Sequence, residues 1–323
     1  MPVEFGLVGE SPAMVELANY LPKVARSHAT VLVTGETGTG KERVAEAIHA
    51  LSARSRKPFV VVNCGALPDT LIESELFGHT RGAFTGAVNA QRGKISEADG
   101  GTLFLDEIGE MSHYAQSRLL RVLETHEVHP LGGGASHRVD IRVVAATNRP
   151  LEDEVLAQRF RADLFYRLNV ARLIMPPLRD RLSDVPVIAR HFIAELNKRD
   201  NLEVEEPNED LLSALMAYDW PGNIRELRNV FESVFIDPPN GQIAFENLPL
   251  SLQTLFGRYH HTTPTSERTK LLDTLKKTNW NKAEAAKALN WSRMTLYRKL
   301  VKYEITEGGS FSADSSVTSV QPD

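Results

Sequence analysis

The chain has one cysteine, Cys64, in 323 residues. That excludes an internal disulfide and fits a reducing cytoplasm. Cys64 itself reads as a small buried apolar residue. No apolar run approaches the ~20 residues needed to cross a bilayer. The start, Met1-Pro2-Val3-Glu4-Phe5-Gly6, has no basic segment followed by an apolar core, so no export signal is visible. There is no Gly-x-Ser-x-Gly elbow and no evident histidine partner for Cys64. His126, Glu127 and His129 are close in sequence but are not spaced as paired metal ligands on one helical face. Long internal repeats are also missing. The expectation is a soluble, cytoplasmic protein, and the length suits about two domains.

What is present begins with Gly35-Glu36-Thr37-Gly38-Thr39-Gly40-Lys41. This run follows the apolar segment Thr30–Val33 and precedes a helical pattern with Val44, Ile48 and Leu51 about one turn apart. A strand, a glycine-rich turn and a helix in that order make a phosphate cradle. Glycines let backbone N–H groups converge on anionic oxygens, and the helix N-terminus adds partial positive charge. Lys41 supplies a full charge to the outer phosphates. The next position usually holds a Ser or Thr that ligates Mg²⁺. Here it is Glu42.

Apolar, β-branched runs recur at 31–34, 59–62, 102–105, 141–146 and 170–175, with helical patterns between them. Alternation of this kind predicts an α/β fold with a mostly parallel sheet covered on both faces. The third run, Gly100-Gly101-Thr102-Leu103-Phe104-Leu105, ends in Asp106-Glu107. Ligands of open α/β sheets sit beyond the carboxyl ends of the strands. Asp106 can therefore hold the Mg²⁺ that bridges the phosphates, and Glu107 can activate the attacking water.

Helix-rich sequence follows from about Asp184 and ends in Trp220-Pro221-Gly222-Asn223-Ile224-Arg225-Glu226-Leu227, where Asn223 reads as an N-cap. Asp237-Pro238-Pro239-Asn240-Gly241 marks a turn, and 260–266 reads as linker. Beyond it, residues 283–289 and 293–300 predict two helices around the turn Asn290-Trp291-Ser292, with Leu289, Leu296 and Leu300 as a small core. Ser292 would cap the second helix. This is a helix-turn-helix, which places its second helix in the major groove. Residues 266–305 hold ten Lys/Arg against four Asp/Glu, leaving −11 for the rest of a chain whose net charge is −5. A basic module on an acidic body points to a polyanion partner for that module. The Gly/Ser-rich end, 306–323, is expected to be disordered.

One further hexapeptide, Gly82-Ala83-Phe84-Thr85-Gly86-Ala87, follows Glu75-Leu76-Phe77-Gly78-His79. On the residues alone it is a flexible loop that can expose or bury Phe84. With these motifs in this order, the chain resembles the AAA+ ATPase activators of sigma-54 RNA polymerase, the bacterial enhancer-binding proteins. The likeness covers about 7–234 and again 266–305, and Glu42 is normal for that group.

The resemblance implies a P-loop AAA+ subdomain at 7–175, a helical lid at 176–236, a linker at 237–265 and a Fis-type DNA-binding domain at 266–305. It implies ATP bound by Gly35 to Glu42, by the segment Ala98-Asp99-Gly100-Gly101-Thr102-Leu103-Phe104-Leu105-Asp106-Glu107, and by Thr147, Asn148 and Arg225. Asn63 is similar to a switch on the catalytic Glu107, while Arg161 and Arg167 match arginine fingers that reach a neighbouring subunit. Fingers in trans imply a ring, a homo-hexamer that rests as a dimer. The hexapeptide would touch the sigma factor, and residues 127–139, with Gly132-Gly133-Gly134, would form a second mobile loop. Lys282, Ser292, Arg293, Thr295, Tyr297, Arg298 and Lys299 would face double-stranded upstream DNA. Because the ATPase region starts near residue 7, control by an inhibitory protein acting in trans is expected, similar to the stand-alone phage-shock type, with control by expression as the alternative. Two rivals stay open at this point: a remodelling AAA+ ATPase that does not act on sigma-54, and a DNA-binding repressor with a silent ATP site.

Overall fold

Five parallel strands form the central sheet: β1 (Val31–Thr34), β2 (Phe59–Asn63), β3 (Thr102–Asp106), β4 (Arg142–Thr147) and β5 (Ala171–Ile174), in the order β2-β3-β4-β1-β5. All five coincide with the runs expected from the sequence to within a residue or two. The computed structural model describes residues 6–84, 87–260, 264–278, 280–289, 296–297, 299–300, 303 and 305. Two units divide it: Met1–Pro207 with Tyr218–Pro249, and Asn208–Ala217 with Leu250–Asp323.

In the first unit the helices are α1 (Pro12–Arg26), α2 (Lys41–Ala50), α3 (Asp69–Phe77), α4 (Lys94–Glu97), α5 (His113–Thr125), α6 (Leu151–Leu156), α7 (Ala162–Leu168) and α8 (Val185–Asp200). The strand period of two sorts the core. Leu32, Leu103, Leu105, Val143 and Ala145 face α3, α5 and α7. Val31, Val33, Phe104, Val144 and Ala146 face α1 and α2. Central strands are covered on both sides, which is why their sequences are continuous apolar runs. Burying each such Leu or Phe contributes about 1.5–3 kcal/mol. Arg142, a buried charged residue of this sheet, donates to Val24 O at 2.7 Å and to Ala25 O, closing the last turn of α1.

The lid begins at the 3-10 turn Leu178–Asp184 and continues through α8. Asp184 is fully buried and accepts from Glu10 N–H, Ser11 N–H and Ser11 Oγ–H, each at 2.7 Å. This carboxylate ties the amino-terminal segment to the lid.

In the second unit, α9 (Glu209–Met216) is capped by Asn208, whose side chain accepts from Leu211 N–H. The first unit then supplies α10 (Asn223–Val234). Asn223 is not the N-cap expected from the sequence. It is the first helical residue, at φ 53°, and Gly222 occupies the cap position. Its amide is used elsewhere, on the phosphate loop.

The stretch 237–265, read as linker, holds α11 (Leu250–His260), and α12 (Pro264–Lys277) starts before 266. Leu252 and Phe256 lie four apart and give the segment an apolar stripe, with Phe256 fully buried. α13 (Lys282–Ala288) follows, with Asn281 accepting from Ala283 and Glu284 N–H. Leu296 and Leu300 pack with Leu271, Leu275 and Ala285, and Leu289 lies against them, as the helix-turn-helix pattern required. Among the described residues, no helix is long and apolar enough to cross a membrane.

Replacing Asp184 with Ala leaves the two buried donors of Ser11 and the part-buried Glu10 N–H without an acceptor. The expected loss is about 3 kcal/mol of stability, seen as a lower urea midpoint; an unchanged midpoint would contradict the anchoring role.

Candidate functional site

The loop between β1 and α2 holds its shape by internal bonds. Thr39 Oγ donates to Glu36 O at 2.8 Å, and Gly35 N–H donates to Thr147 O at 3.2 Å. Lys41 Nζ folds back over the loop and donates to Gly35 O (2.8 Å) and Glu36 O (3.0 Å). Burial pulls the Lys41 ammonium below its ordinary pKa, against the opposing pull of Asp106 and Glu107. Asn148, at the end of β4, donates to Thr37 Oγ1 at 3.1 Å.

The lid reaches the same loop. Asn223 Nδ2 donates to Thr37 O (3.0 Å) and to the Glu36 carboxylate (3.2 Å), while Leu178 N–H donates to Asn223 Oδ1. Ile224 and Arg225 N–H both donate to Gly38 O, at 3.0 and 3.3 Å. Gly38 must be glycine: its φ is +79°, and a Cβ would lie 2.4 Å from the Gly222 carbonyl oxygen. Arg179 clamps the Glu36 carboxylate with two bonds, 2.6 and 2.8 Å, and holds its pKa below the usual range.

Lys41, Glu42, Asp106, Glu107 and Arg225 line one cleft of about 480 Å³. Leu7, Val8, Met14, Ile188 and Phe192 add apolar surface suited to an aromatic base, alongside His191 and Glu195. The sequence reading missed these residues, because they are scattered apolar positions from two distant segments, 7–14 and 188–192, with no motif between them.

Glu107 follows β3 in a left-handed conformation, φ 53° and ψ 42°. For a non-glycine residue that conformation is uncommon, and it concentrates at functional positions. Asn63 pairs in register with Asp106 across the sheet and accepts from Gly65 N–H at 2.9 Å. A Cβ on Gly65 would lie 2.4 Å from Glu107 Oε2, so the turn after Asn63 stands directly against the glutamate. Cys64, between them, is buried, and burial with the nearby Asp106 and Glu107 pushes its thiol up to about 12.

Ala98 to Leu105 were expected among the nucleotide residues, and the structure places them elsewhere. Ala98 to Gly101 sit at the far end of β3, where Asp99 accepts from Asp140 N–H and Gly101 packs on Pro58. Thr102 to Leu105 are buried in the sheet. A five-residue strand spans roughly 16 Å, so only its carboxyl end reaches the cleft. Thr147 is likewise buried, touching the loop through its carbonyl. Arg161 pairs with Asp163 at 2.7 Å, and Arg167 donates to Leu123 O at 2.9 Å; neither lines the Lys41 cleft of its own chain.

The hexapeptide loop rises from a short ribbon in which Gly78–His79 pairs with Gln91–Arg92. Gly82 N–H donates to Ala87 O, and the Phe84 ring, 39% exposed, packs edge-on against His79 at 5.0 Å. Thr85 and Gly86 lie outside the described residues. The glycine-rich loop has its own ribbon, Glu127–Val128 with His137–Arg138. Leu131 splices the two loops: its N–H donates to Gly78 O (2.8 Å) and its carbonyl accepts from Thr80 N–H (3.0 Å). Nothing in the sequence pattern announced that junction.

In the second unit, Lys282 stands at the start of α13 with its ammonium 5.6 Å from the Tyr297 ring, which is half exposed. Lys299 lies 5.9 Å from Tyr303. Ser292, Arg293, Thr295 and Arg298 lie outside the described residues.

Family profiles match in the same order. The "Sigma-54 interaction domain" covers residues 7–174, the "AAA+ ATPase lid domain" 179–265, and the "Bacterial regulatory protein, Fis family" 263–303. The lid match thus takes in the stretch read as linker. The chain is 47% identical to the transcriptional regulatory protein ZraR of Salmonella typhimurium over 92% of its own length and 68% of that protein. It is 41% identical to the DNA-binding transcriptional regulator NtrC of Klebsiella pneumoniae, covering 91% and 69%. The crystal structure of NtrX from Brucella abortus in complex with ATP superposes with a TM-score of 0.71 at 31% identity, over 94% of this chain and 70% of that one. Hsp104, at 16% identity and a TM-score of 0.54, shares the fold.

A thiol with a pKa of about 12 carries a thiolate fraction of about 10⁻⁴ at pH 8. Native Cys64 is therefore expected to resist an aromatic disulfide reagent that labels it at once in guanidinium. Rapid labelling of the native chain would show that the floor beneath Asp106 and Glu107 is open.

Proposed function

This chain belongs to the sigma-54 interaction family of AAA+ transcriptional activators, and from that membership we propose how its residues divide the work. It is an ATP-driven activator: the α/β subdomain and lid hydrolyse ATP, the Fis-type module binds DNA, and the target is the sigma-54 RNA polymerase closed complex. The observation that carries the reading is the single cleft shared by Lys41, Asp106, Glu107 and Arg225.

Mg²⁺ fits this cleft. Among the described residues no cluster of three or more His, Cys, Asp or Glu could hold a metal by itself. A metal that binds through one or two carboxylates and the substrate's own phosphates is what Mg²⁺ chemistry prefers. Asp106 would hold it, directly or through water, with the Glu42 carboxylate nearby, and the ion would offset charge on the phosphate oxygens.

In our reading, Lys41 leaves its two loop carbonyls when a triphosphate arrives and moves to the outer phosphates. Arg225, from the first turn of α10, adds a second cation. Glu107 takes a proton from the attacking water, its direction fixed by the turn that Asn63 holds through Gly65. Asn148 reports on the terminal phosphate through Thr37. Arg161 and Arg167, which do not face their own cleft, complete a neighbour's site in a ring, where such arginines can contribute about 10³–10⁵ in rate. The ring is proposed as a hexamer that assembles from dimers. Loss of the terminal phosphate then changes the preferred position of the Phe84–Thr85 loop, which bears on the sigma factor.

Glu107→Gln is expected to retain ATP and to lose turnover by at least about 10²-fold; near-normal phosphate release would remove Glu107 as the base. Thr85→Ala is expected to hydrolyse ATP normally and to leave promoters closed in a permanganate footprint with sigma-54 polymerase. An open bubble in that variant would count against the loop's role.

A further inference from the structure

A phosphate nest needs successive N–H groups turned toward the anion. Because each peptide is planar and trans, its C=O and N–H point in opposite directions. Whatever holds the carbonyls of such a loop therefore aims its N–H groups. Here the carbonyls of Thr37, Gly38 and Thr39 are held by the lid. Asn223 Nδ2 donates to the first at 3.0 Å, Ile224 N–H to the second at 3.0 Å, and Arg181 Nη2 to the third at 3.1 Å. Among the described residues, nothing in the chain accepts from the Gly38 or Gly40 N–H.

Arg181 is unusual for a structural arginine. It is 2% exposed, its Nε has no partner, and its Nη1 faces only the Met14 sulfur at 2.9 Å. The nearest carboxylate that acts on it, Asp184, is occupied by Glu10 and Ser11. Burying a guanidinium with so few acceptors costs stability that an apolar side chain would not. Its one good bond is to the phosphate loop, and it lines the nucleotide cleft.

We propose that Arg181 and Asn223 are positioning residues for polyphosphate binding: through the carbonyls of Thr39 and Thr37 they set the direction of the Gly40 and Gly38 N–H groups. The lid is then the outer wall of the nest, coupled to a nucleotide's phosphates through these loop carbonyls as well as through Arg225. This rests on the reading of Gly35 to Glu42 as the phosphate loop.

The test measures ADP and adenosine binding by calorimetry, in the full chain, for wild type, Lys41→Ala, Arg181→Met and Asn223→Asp. Arg181→Met replaces a buried charge with an apolar chain beside Met14, a change that is often neutral or stabilising. Asn223→Asp keeps the acceptor for Leu178 N–H and removes the donor to Thr37 O. Each is expected to weaken ADP roughly tenfold, the worth of one charge-assisted or buried hydrogen bond, while adenosine binds as before. Arg181→Lys should recover part of the loss. Unchanged ADP affinity in either variant, or equal weakening of ADP and adenosine, overturns the proposal. Should Arg181→Met fail to fold, Asn223→Asp alone decides between these outcomes. Wild type binding no ADP, just as Lys41→Ala, would instead sink the functional reading on which the proposal stands.

Discussion

Most of this molecule's chemistry depends on the close seating of α10 on the phosphate loop. Gly222 O approaches so near to Gly38 that no side chain fits between them, and Asn223 takes a left-handed backbone to bring its amide to bear. Asparagine tolerates that conformation better than most residues, because its short polar chain can bond locally. One residue thus caps the start of the 3-10 turn through Leu178 N–H, opens α10 and grips Thr37. Arg179 and Glu36 add a second tie, although their exposure limits what it contributes.

A second concentration of unusual geometry lies at the carboxyl end of β3. Glu107 sits in a conformation that costs about 1–3 kcal/mol for a side-chain-bearing residue. It persists because Cys64 N–H binds Asp106 O and the Gly65 turn closes over the carboxylate. The strain and the packing together fix one direction for the acid group. Loops at this edge are where an open parallel sheet places its ligands, and here the loop glycines after β1 and the acids after β3 flank the intervening strand β4.

The α/β core was legible because buried central strands must be continuous apolar runs, and five such runs were visible. The phosphate loop, the two acids and the helix-turn-helix core were legible for the same kind of reason: each is local, with its chemistry contained in a dozen residues. The contacts that the reading missed are all long-range. Arg181 lies 142 residues from the carbonyl it binds, and Leu131 lies about 50 residues from the strand end it joins. Asn223 looked like a cap because Asn before a helical pattern usually is one; the pull of the phosphate loop overrode the local preference. Helix α11 was hidden by flanking prolines and glycine, which read as linker before the apolar pair Leu252 and Phe256 could be weighed.

The backbone of Leu131 serves two masters, accepting from one loop and donating to its stem. Gly132, next to it, leaves no space for a methyl group against Ala83, whose Cβ would stand 2.5 Å away. The two hairpins are thus fastened to each other at a single residue. Displacing the glycine-rich arm relative to the stem of the aromatic arm would therefore break at least one of these two bonds.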